Sequence, residues 1–265
     1  MGSVWSAVDL QLDRRVAVKL IVESMSDLPD VRARFLREAQ AAGKLTSPHV
    51  VQVLDYGLEG ATPFMVLEWL EGEDLGRRIK RAGRLPIAEV ATLLRQLGKG
   101  LRRAHEAGLV HRDIKPPNLF IAVNDGDETL KILDFGIAKG AAVSGGDDTK
   151  TGVVVGSLRY MSPEQARGLR TVDQRADLWS VGVVLFHAIT GALPFQGESD
   201  ADLLVKLCTE QARSPSSIAP ELARFDAFFA RVFDRDIEKR CQTIDDLVFE
   251  FLRAADLETP QPRAA

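Results

Sequence analysis

The segment 111–118, which reads His-Arg-Asp-Ile-Lys-Pro-Pro-Asn, constrains this chain more than any other stretch, and Asp134-Phe135-Gly136 follows it. The segment holds a carboxylate, an ammonium group and an amide in a fixed order on a predicted loop, with a second carboxylate further on. Phosphoryl transfer requires one carboxylate to orient a hydroxyl, one cation for the moving phosphoryl group, and two oxygen ligands for Mg²⁺. The two segments together therefore predict a site for phosphoryl transfer.

The composition limits the size of the fold, the partners and the cysteine chemistry to be expected of this chain. The chain has 265 residues, of which 45% are hydrophobic and 27% are charged, and this suffices for one large domain or two smaller lobes. The net charge is −4 and no basic stripe stands out, so we expect no nucleic-acid partner. Cys208 and Cys241 lie far apart without Cys-x-x-Cys spacing, which favours two reduced thiols in a cytoplasmic protein over a disulfide or a metal site.

We expect no membrane segment in this chain. No apolar run reaches the roughly 18 residues that a spanning helix needs. The first residues also lack the charged region and apolar stretch of a signal peptide. Both observations favour a cytoplasmic location.

The first part of the chain has the pattern of strands with one helix between them. Asp27 is a candidate N-cap for a helix that opens near Pro29 and continues towards Lys44, with Phe35 and Ala39 at helical spacing. The polar pair Asp13-Arg14 predicts one turn, and the stretch from Gly57 to Thr62 predicts another. The predicted strands run from Val4 to Ala7, from Arg15 to Val22, from Val50 to Tyr56 and from Pro63 to Glu68.

After Trp69 the pattern becomes helical. Pro86 suits a first helical turn, and Gly108 suits the end of the same helix. Short strands flank Asp134, and residues 140–156 have the small, polar, glycine-rich composition of a mobile loop. From Asp173 onwards we predict helices only. The apolar positions of the first long helix recur every three or four residues, at Val90, Leu94, Leu97, Leu101 and Ala104.

Further short motifs occur in the order and spacing of one known family. Together with the two segments above, they make the chain resemble the eukaryotic-like Ser/Thr protein kinases, in a bacterial branch, over nearly its whole length. Each motif alone is weak, but their shared order argues against coincidence. The additional motifs are Val16-Ala17-Val18-Lys19, Glu38 in Arg-Phe-Leu-Arg-Glu-Ala, Ser162-Pro163-Glu164, the run from Asp177 to Gly182, and Arg240.

The resemblance implies an α+β fold, the bilobal protein-kinase fold, with a small β-rich N-lobe containing one helix and a larger α-helical C-lobe. The expected boundaries are 1–68 for the N-lobe, 69–73 for the hinge, 74–257 for the C-lobe and 258–265 for a short tail. Two structural roles follow in the C-lobe. Arg240 is expected to pair with Glu164, and Asp177 lies at the start of the large central helix.

The resemblance also assigns the chemistry. Asp113 is the expected catalytic base that orients the substrate hydroxyl, and Lys115 is expected to contact the γ-phosphate. A lysine at this position is typical of Ser/Thr kinases, because tyrosine kinases usually carry Ala-Ala-Arg or Arg-Ala-Ala there. Asn118 and Asp134 are the expected Mg²⁺ ligands. His111 is interpreted as a packing residue rather than a general base.

ATP is the expected second substrate. Lys19 lies in an apolar strand, where an unpaired ammonium group is costly, so we expect it to pair with Glu38 and to contact the α- and β-phosphates. Leu67 is the expected gatekeeper, and Asp74 is a candidate ribose contact. The remaining positions expected around adenine are Val4, Ala17 and Phe120, with hinge backbone contacts from Glu68 and Leu70.

The main departure from the family lies in the glycine-rich loop. The family pattern is Gly-x-Gly-x-x-Gly-x-Val, whereas this chain begins Met1-Gly2-Ser3-Val4 and matches only the last glycine and the valine. The first two glycines would lie upstream of Met1, and we favour a miscalled or clipped start over a real truncation. The loss puts ATP affinity in question, because this loop covers the phosphates.

Regulation by phosphorylation of the loop after Gly136 is a further expectation. Arg112 and Lys139 are the expected phosphate-binding groups, and Thr151, followed by Thr149, is the expected site of autophosphorylation. Ser157 retains a hydroxyl that can bridge Asp113 and Lys115. The expected partners are protein substrates and a second copy of the chain, through self-association for trans-autophosphorylation.

Two other functions compete with an active protein kinase. A non-catalytic kinase-like scaffold is favoured only by the incomplete glycine-rich loop and is opposed by the complete set of catalytic residues. A small-molecule kinase would share the catalytic loop. The segment Ser162-Pro163-Glu164 and the preceding Gly156-Ser157 favour a protein substrate instead.

Overall fold

The computed structural model describes residues 3–20, 35–36, 39–40, 42–60, 62–135, 158–169 and 171–257. A β-sheet dominates the N-terminal part, and a larger part made mainly of helices follows it. This is the α+β arrangement that the sequence predicts.

The N-terminal sheet has four antiparallel strands in the spatial order β1-β2-β4-β3. One face of β4 is buried, at Met65 and Leu67, because its side chains alternate between the two faces of the sheet. Phe35 and Ala39, which are helical and fully buried, pack in the same cluster. The strands are β1 (Ser3–Asp9), β2 (Arg14–Leu20), β3 (Val53–Glu59) and β4 (Thr62–Glu68).

The predicted turn from Gly57 to Thr62 is wrong. Gly57 lies inside β3 opposite Phe64, and the last pair of the ladder joins Glu59 to Thr62. Gly60 has a φ of 58°, a left-handed conformation that glycine adopts at no steric cost. The strand therefore continues to Glu59, and the turn is correspondingly tighter.

The predicted strand from Val50 also begins too early. Val50 forms an isolated parallel bridge with Ile132, the Val51 amide donates to the Ile132 carbonyl at 3.0 Å, and the Ile132 amide donates to the His49 carbonyl at 2.9 Å. The backbone of residues 49–51 thus pairs with a strand of the following part of the chain rather than with the N-terminal sheet. A Cβ atom on Gly100 would lie 2.8 Å from the same His49 carbonyl oxygen, so this crossing requires glycine on the neighbouring helix.

A second sheet follows, with the strands β5 (Gly72–Asp74), β6 (Leu119–Asn124) and β7 (Asp127–Ile132) in that spatial order. Asp125 and Gly126, both with positive φ, connect β6 to β7. Strand β6 begins directly after Asn118, and β7 ends two residues before Asp134. One end of this sheet therefore holds both predicted metal ligands close together.

The helices behind this sheet form the core of the C-terminal part. The helix predicted after Pro86 is confirmed, since its five predicted apolar positions are all buried, and Gly108 with a φ of 73° ends it. Among the described helices, none is both long and apolar enough to cross a lipid bilayer. The helices are α1 (Leu75–Ala82), α2 (Ile87–Glu106), α3 (Pro163–Ala166), α4 (Arg175–Thr190), α5 (Asp200–Thr209), α6 (Asp226–Val232) and α7 (Ile244–Ala254), and short 3₁₀ turns occur at Pro116–Asn118, Pro215–Ser217, Pro220–Phe225 and Ile237–Lys239.

Helix α4 is the centre of this part of the molecule. Nearly all of its residues are buried, as expected for a helix that is apolar on every side. Trp179 packs between the rings of Phe195 and Phe233, with centroid distances of 5.7 and 5.1 Å. The elements that contact α4 are thereby held against a rigid support.

Glu164 and Arg240 form a buried bidentate ion pair. The two guanidinium nitrogens donate to the two carboxylate oxygens at 2.9 and 3.1 Å, and Arg240 also lies over the Trp179 ring, 4.7 Å from its centroid. Both residues are at least 95% buried, and the Arg240 Nε donates to the Asp234 carbonyl. The pair, which the family resemblance implies, attaches α3 to the segment before α7.

Arg240→Ala would leave the buried Glu164 carboxylate without its partner and out of reach of water. The substitution should therefore be strongly destabilising. We expect the free energy of unfolding to fall by about 3–5 kcal/mol. The measurement is urea denaturation followed by circular dichroism. The matched control is Arg102→Ala, which removes an exposed pair with Asp245 and should cost less than about 1 kcal/mol. Equal effects of the two substitutions would contradict the structural role of the buried pair.

Candidate active site

The loop of residues 111–118, which the sequence predicts to be the catalytic loop, is held by the carboxylate of Asp177, which is completely buried in the first turn of α4. Asp177 Oδ2 accepts the His111 amide at 2.8 Å, and Oδ1 accepts the Arg112 amide at 2.7 Å. The His105 Nε2 lies 2.9 Å from the same Oδ2. These charge-assisted hydrogen bonds compensate for burial of the carboxylate and fix the loop backbone. Sequence reasoning placed Asp177 in the helix but missed His105.

Arg112 has a φ of 62°, a conformation that side-chain-bearing residues rarely adopt. The two hydrogen bonds to Asp177 hold it there, and Gln165 of α3 donates to the Arg112 carbonyl at 2.9 Å. The Arg112 side chain is exposed, and its Nη2 reaches the Val172 carbonyl at only 3.5 Å. The strained backbone lies immediately before Asp113, where it sets the direction of that side chain.

His111 is buried and has both ring nitrogens engaged. Its Nε2 lies 2.8 Å from the Leu133 carbonyl, and its Nδ1 accepts the Asp113 amide at 3.2 Å. These contacts fit the neutral tautomer with the proton on Nε2. The ring also packs against Phe135, with a centroid distance of 4.9 Å. His111 is therefore a packing and positioning residue in this structure.

Asp113, Lys115 and Asn118 converge in the catalytic loop. Lys115 Nζ lies 3.0 Å from Asp113 Oδ2, and the Asn118 side-chain amide donates to the same oxygen at 3.2 Å and to the Asp113 carbonyl at 2.8 Å. The 3₁₀ turn at Pro116–Asn118 brings Asn118 back towards Asp113. The side chains of Asp113 and Lys115 are 15% and 16% exposed, so a substrate can reach them.

Lys19 of β2 reaches across to Asp134 of the C-terminal part. Its Nζ lies 2.5 Å from Asp134 Oδ1, and Asp134, at a φ of 51°, follows β7. The ammonium group is 16% exposed and the carboxylate 42% exposed. Within the part of the chain that the structure describes, Asp134 is the ion-pair partner of Lys19. The expected partner Glu38 lies outside the described residues.

The oxygen donors of Asn118 and Asp134 fit the chemistry of Mg²⁺, which prefers carboxylate and carbonyl oxygens. The Asn118 side-chain nitrogen is directed at Asp113, which leaves the amide oxygen as the atom available to a metal. The Leu133 amide donates to the Asn118 carbonyl at 2.8 Å, so the residue before Asp134 is joined directly to Asn118. Lys19 engages only one of the two oxygens of Asp134.

The positions expected around ATP in the N-terminal sheet lie on one face. Ala17 and Lys19 are two residues apart on β2 and therefore point to the same side. Val4 lies opposite Lys19, and Leu67 lies opposite Ala17. Directly opposed residues share a face, so these four side chains line a common surface. Leu67 is buried, whereas Val4 is 63% exposed.

The opposite wall comes from the second sheet, where Phe120 of β6 pairs with Asp74 of β5. Asp74 also caps α1, because its Oδ1 accepts the Arg77 amide at 3.0 Å, and its Oδ2 lies 3.2 Å from the Arg77 Nε. Leu70 packs against the buried cluster that contains Leu67. The ribose contact expected of Asp74 is thus combined with a helix-capping role that the sequence reasoning did not assign.

Glu68 makes an ion pair that the sequence reasoning missed. Its Oε1 accepts Lys131 Nζ of β7 at 2.6 Å and the Gln52 amide at 2.8 Å. The side chains of Lys131 and Glu68 are 11% and 24% exposed. Lys131 is the cross-strand neighbour of Phe120, so this pair joins the C-terminal end of β4 to the strand next to Phe120. The residues are far apart in sequence, and no local pattern could have indicated the contact.

The regulatory positions are only partly described. Lys139, Thr149, Thr151 and Ser157 lie outside the described residues. Arg112, Glu164, Asp177 and Arg240 have the contacts given above.

Comparison with known proteins identifies the family. Residues 1–251 match the protein kinase domain family. The chain is 40% identical to serine/threonine-protein kinase PknA of Mycobacterium tuberculosis over 227 residues, which are 84% of this chain and 51% of PknA. It is 34% identical to serine/threonine-protein kinase PknB of Mycolicibacterium smegmatis over 268 residues, which are 98% of this chain and 42% of PknB. This chain therefore belongs to the protein kinase family, as its motifs predict.

The solved structures agree on the fold. The kinase domain of Mycobacterium tuberculosis PknI matches with a TM-score of 0.76 at 25% sequence identity, over 96% of this chain and 91% of that domain. The chain spans about half the length of PknA and a smaller share of PknB. The likeness thus concerns the kinase domain of these proteins.

If Asp177 positions the catalytic loop, Asp177→Asn should impair it without changing side-chain size. The amide NH₂ would face one of the two backbone N–H donors, leaving a buried donor unpaired at a cost of about 1–3 kcal/mol. We expect a lower denaturation midpoint and a lower kcat for phosphate incorporation, with ATP affinity changed less.

The control is Asp245→Asn, at a 59% exposed carboxylate whose ion-pair partner among the described residues is Arg102. It should leave both the denaturation midpoint and kcat near wild type. Unchanged kcat in Asp177→Asn would show that the loop geometry does not depend on this carboxylate.

Proposed function

We propose that this chain is a Ser/Thr protein kinase, which transfers the γ-phosphoryl group of ATP to serine and threonine hydroxyls of proteins. One observation carries the proposal. Asp113, Lys115, Asn118 and the Lys19–Asp134 pair meet at one end of the second sheet, although they come from separate parts of the sequence. The names of the relatives PknA and PknB support the same class of activity.

Asp113 is the proposed base. Its carboxylate accepts the Asn118 amide and lies beside Lys115, so it is oriented before substrate arrives. In this position it can orient the hydroxyl and receive its proton as the bond to phosphorus forms. Lys115, 3.0 Å away, is placed to neutralise the negative charge on the transferred phosphoryl group.

Lys19, Asn118 and Asp134 are the proposed phosphate- and metal-binding residues. Asn118 and Asp134 would hold Mg²⁺, which neutralises charge on the phosphate oxygens when it is bound. Lys19 is available to the α- and β-phosphates because its present partner is the partly exposed Asp134. Val4, Ala17 and Leu67 on one wall, and Phe120 on the other, are the proposed contacts to adenine.

A non-catalytic scaffold remains the alternative from the sequence, based on the incomplete glycine-rich loop. It predicts no turnover, whereas the proposed kinase requires both ATP binding and turnover. Radiolabelled phosphate incorporation into a generic protein acceptor, with Mg²⁺ and ATP, distinguishes the two functions.

Asp113→Asn is the direct test of the proposed base. We expect turnover to fall by at least about 10²-fold, because the amide cannot accept the hydroxyl proton. ATP binding, measured by equilibrium titration, should stay close to wild type. Near-normal phosphate incorporation by this variant would refute the assignment of Asp113.

The matched control is Asp125→Asn in the exposed turn between β6 and β7. Asparagine tolerates the positive φ of this position. Its turnover should equal that of the wild type.

We also propose that phosphorylation of the segment after Gly136 activates the enzyme, through a second copy of the chain acting in trans. The support in the described residues is the exposed guanidinium of Arg112, whose backbone is fixed by Asp177 beside the catalytic base. A phosphothreonine would bring nearly two negative charges and three acceptor oxygens to such a group. Thr151, and next Thr149, are the proposed sites.

Incubation of the active protein with MgATP should therefore add phosphate mainly at Thr151 and Thr149, as read by mass spectrometry. The double variant Thr149→Ala/Thr151→Ala should show reduced activity towards a separate protein substrate. Asp113→Asn protein supplies the background, because it should not phosphorylate itself. Unmodified threonines in an active preparation, or full activity of the double variant, would exclude this regulation.

A further inference from the structure

Arg78 of α1 binds three carboxylates that come from three different elements. Its Nε lies 2.6 Å from Glu73 Oε1, its Nη1 lies 2.9 Å from Glu89 Oε1, and its Nη2 lies 2.5 Å from Glu128 Oε1. The Arg78 side chain is only 15% exposed. A planar guanidinium with five N–H donors can satisfy such a set, whereas a lysine ammonium cannot match the same directions.

The three partners show what Arg78 connects. Glu73 lies on β5 and Glu128 lies on β7, which are the two outer strands of the second sheet. Glu89 lies in the first turn of α2. Arg78 therefore joins the two edges of the sheet to each other across the central strand β6, and it joins both edges to the helix behind them.

The second sheet carries one wall of the proposed nucleotide site, opposite the N-terminal sheet. Glu73 is followed by Asp74, the proposed ribose contact, which pairs with Phe120. Strand β5 has only three residues, so few backbone hydrogen bonds hold it against β6. Besides the contacts of Asp74 with Arg77, the side chain of Glu73 is then one of the contacts that fix the position of Asp74.

We propose that Arg78 is a positioning residue for ATP, which holds β5 in register so that Asp74 and Phe120 form one wall of the nucleotide site. The inference rests on the proposed kinase function and deepens it, because it assigns a residue that does not touch the nucleotide to its affinity. Arg78 acts through Glu73 on β5, and its contact with Glu128 keeps the opposite edge of the sheet in place.

The electrostatics agree with this role. Hydrogen bonds from Arg78, and after them from Arg81, hold the pKa of the Glu73 carboxyl below its ordinary value. The hydrogen bond that Arg78 donates to Glu128 is the largest cause that raises the pKa of Arg78. Arg81 Nη2 also lies 2.6 Å from Glu73 Oε1, but Arg81 is 66% exposed and contacts neither Glu89 nor Glu128 in the described residues. Without the Arg78 guanidinium, Glu73 would therefore keep only this exposed partner and would lose its connection to Glu89 and Glu128.

The test compares ATP affinity with turnover. Arg78→Met should raise both the Kd for ATP, by equilibrium titration, and the KM for ATP by about 3- to 10-fold, while kcat changes by less than about two-fold. The control is Arg84→Met, which removes an exposed pair with Glu221 just after α1 and should leave both constants near wild type. A wild-type Kd and KM in a folded Arg78→Met variant would overturn the proposal.

Two conservative truncations keep the test decisive where Arg78→Met does not fold. Glu73→Ala and Glu89→Ala each remove one partly exposed partner of the same guanidinium, with side-chain exposures of 25% and 29%. Glu73→Ala should weaken ATP binding in the same direction as Arg78→Met, whereas Glu89→Ala should leave the Kd within about two-fold of wild type. Wild-type ATP affinity in the Glu73→Ala variant would show that Arg78 serves stability alone.

Measurements on the wild-type protein distinguish failure of the proposed kinase function from failure of the role proposed for Arg78. Absence of ATP binding or of phosphate incorporation in the wild type refutes the proposed function itself. Normal binding and turnover in the wild type, together with unchanged affinity in Arg78→Met and Glu73→Ala, refute only the role of Arg78.

Discussion

The hydrogen bonds from the backbone of His111 and Arg112 to the buried Asp177 carboxylate are the contacts on which the active-site geometry depends. Asp177 lies in the first turn of α4, where the helix dipole favours a negative charge. Because α4 is buried on nearly every side, its first turn has little freedom to shift. The unfavourable φ of Arg112 is thus maintained by the core of the C-terminal part, and the loop 111–118 takes its shape from hydrogen bonds to a completely buried carboxylate.

The second sheet shows a division of roles between its two ends. Its active-site end carries Asn118 and Asp134, which come immediately before β6 and shortly after β7. Its other end carries Glu128, which forms an ion pair with Arg78. The hydrogen-bond ladder between β6 and β7 connects these ends, so the ion pairs of Arg78 at one end are coupled through the backbone to the spacing of Asn118 and Asp134 at the other.

The convergence of Asp113, Lys115 and Asn118 could be predicted from the sequence, because they lie within one short segment whose spacing matches a known motif. The long helix α2 was equally predictable from its apolar period. The turn after β3 was not, because Gly57 has the composition of a turn residue but lies opposite Phe64 within the ladder. The pairs Lys131–Glu68 and Arg78–Glu128 join residues far apart in sequence. The sequence pattern does not distinguish these charged residues from the many others that lie on the solvent-exposed surface.

The backbone crossing between residues 49–51 and Ile132 lies on the same side of the molecule as the ion pair between Glu68 and Lys131, since Ile132 and Lys131 are consecutive in β7. Together with the Lys19–Asp134 pair, these main-chain and charged contacts join the N-terminal sheet to β7 and the residues after it. They involve β2, β4 and the segment before β3, whereas β1 lies at the outer edge of the sheet. Val4 on β1 is therefore, in strand order, the expected nucleotide contact furthest from the contacts at Glu68 and residues 49–51.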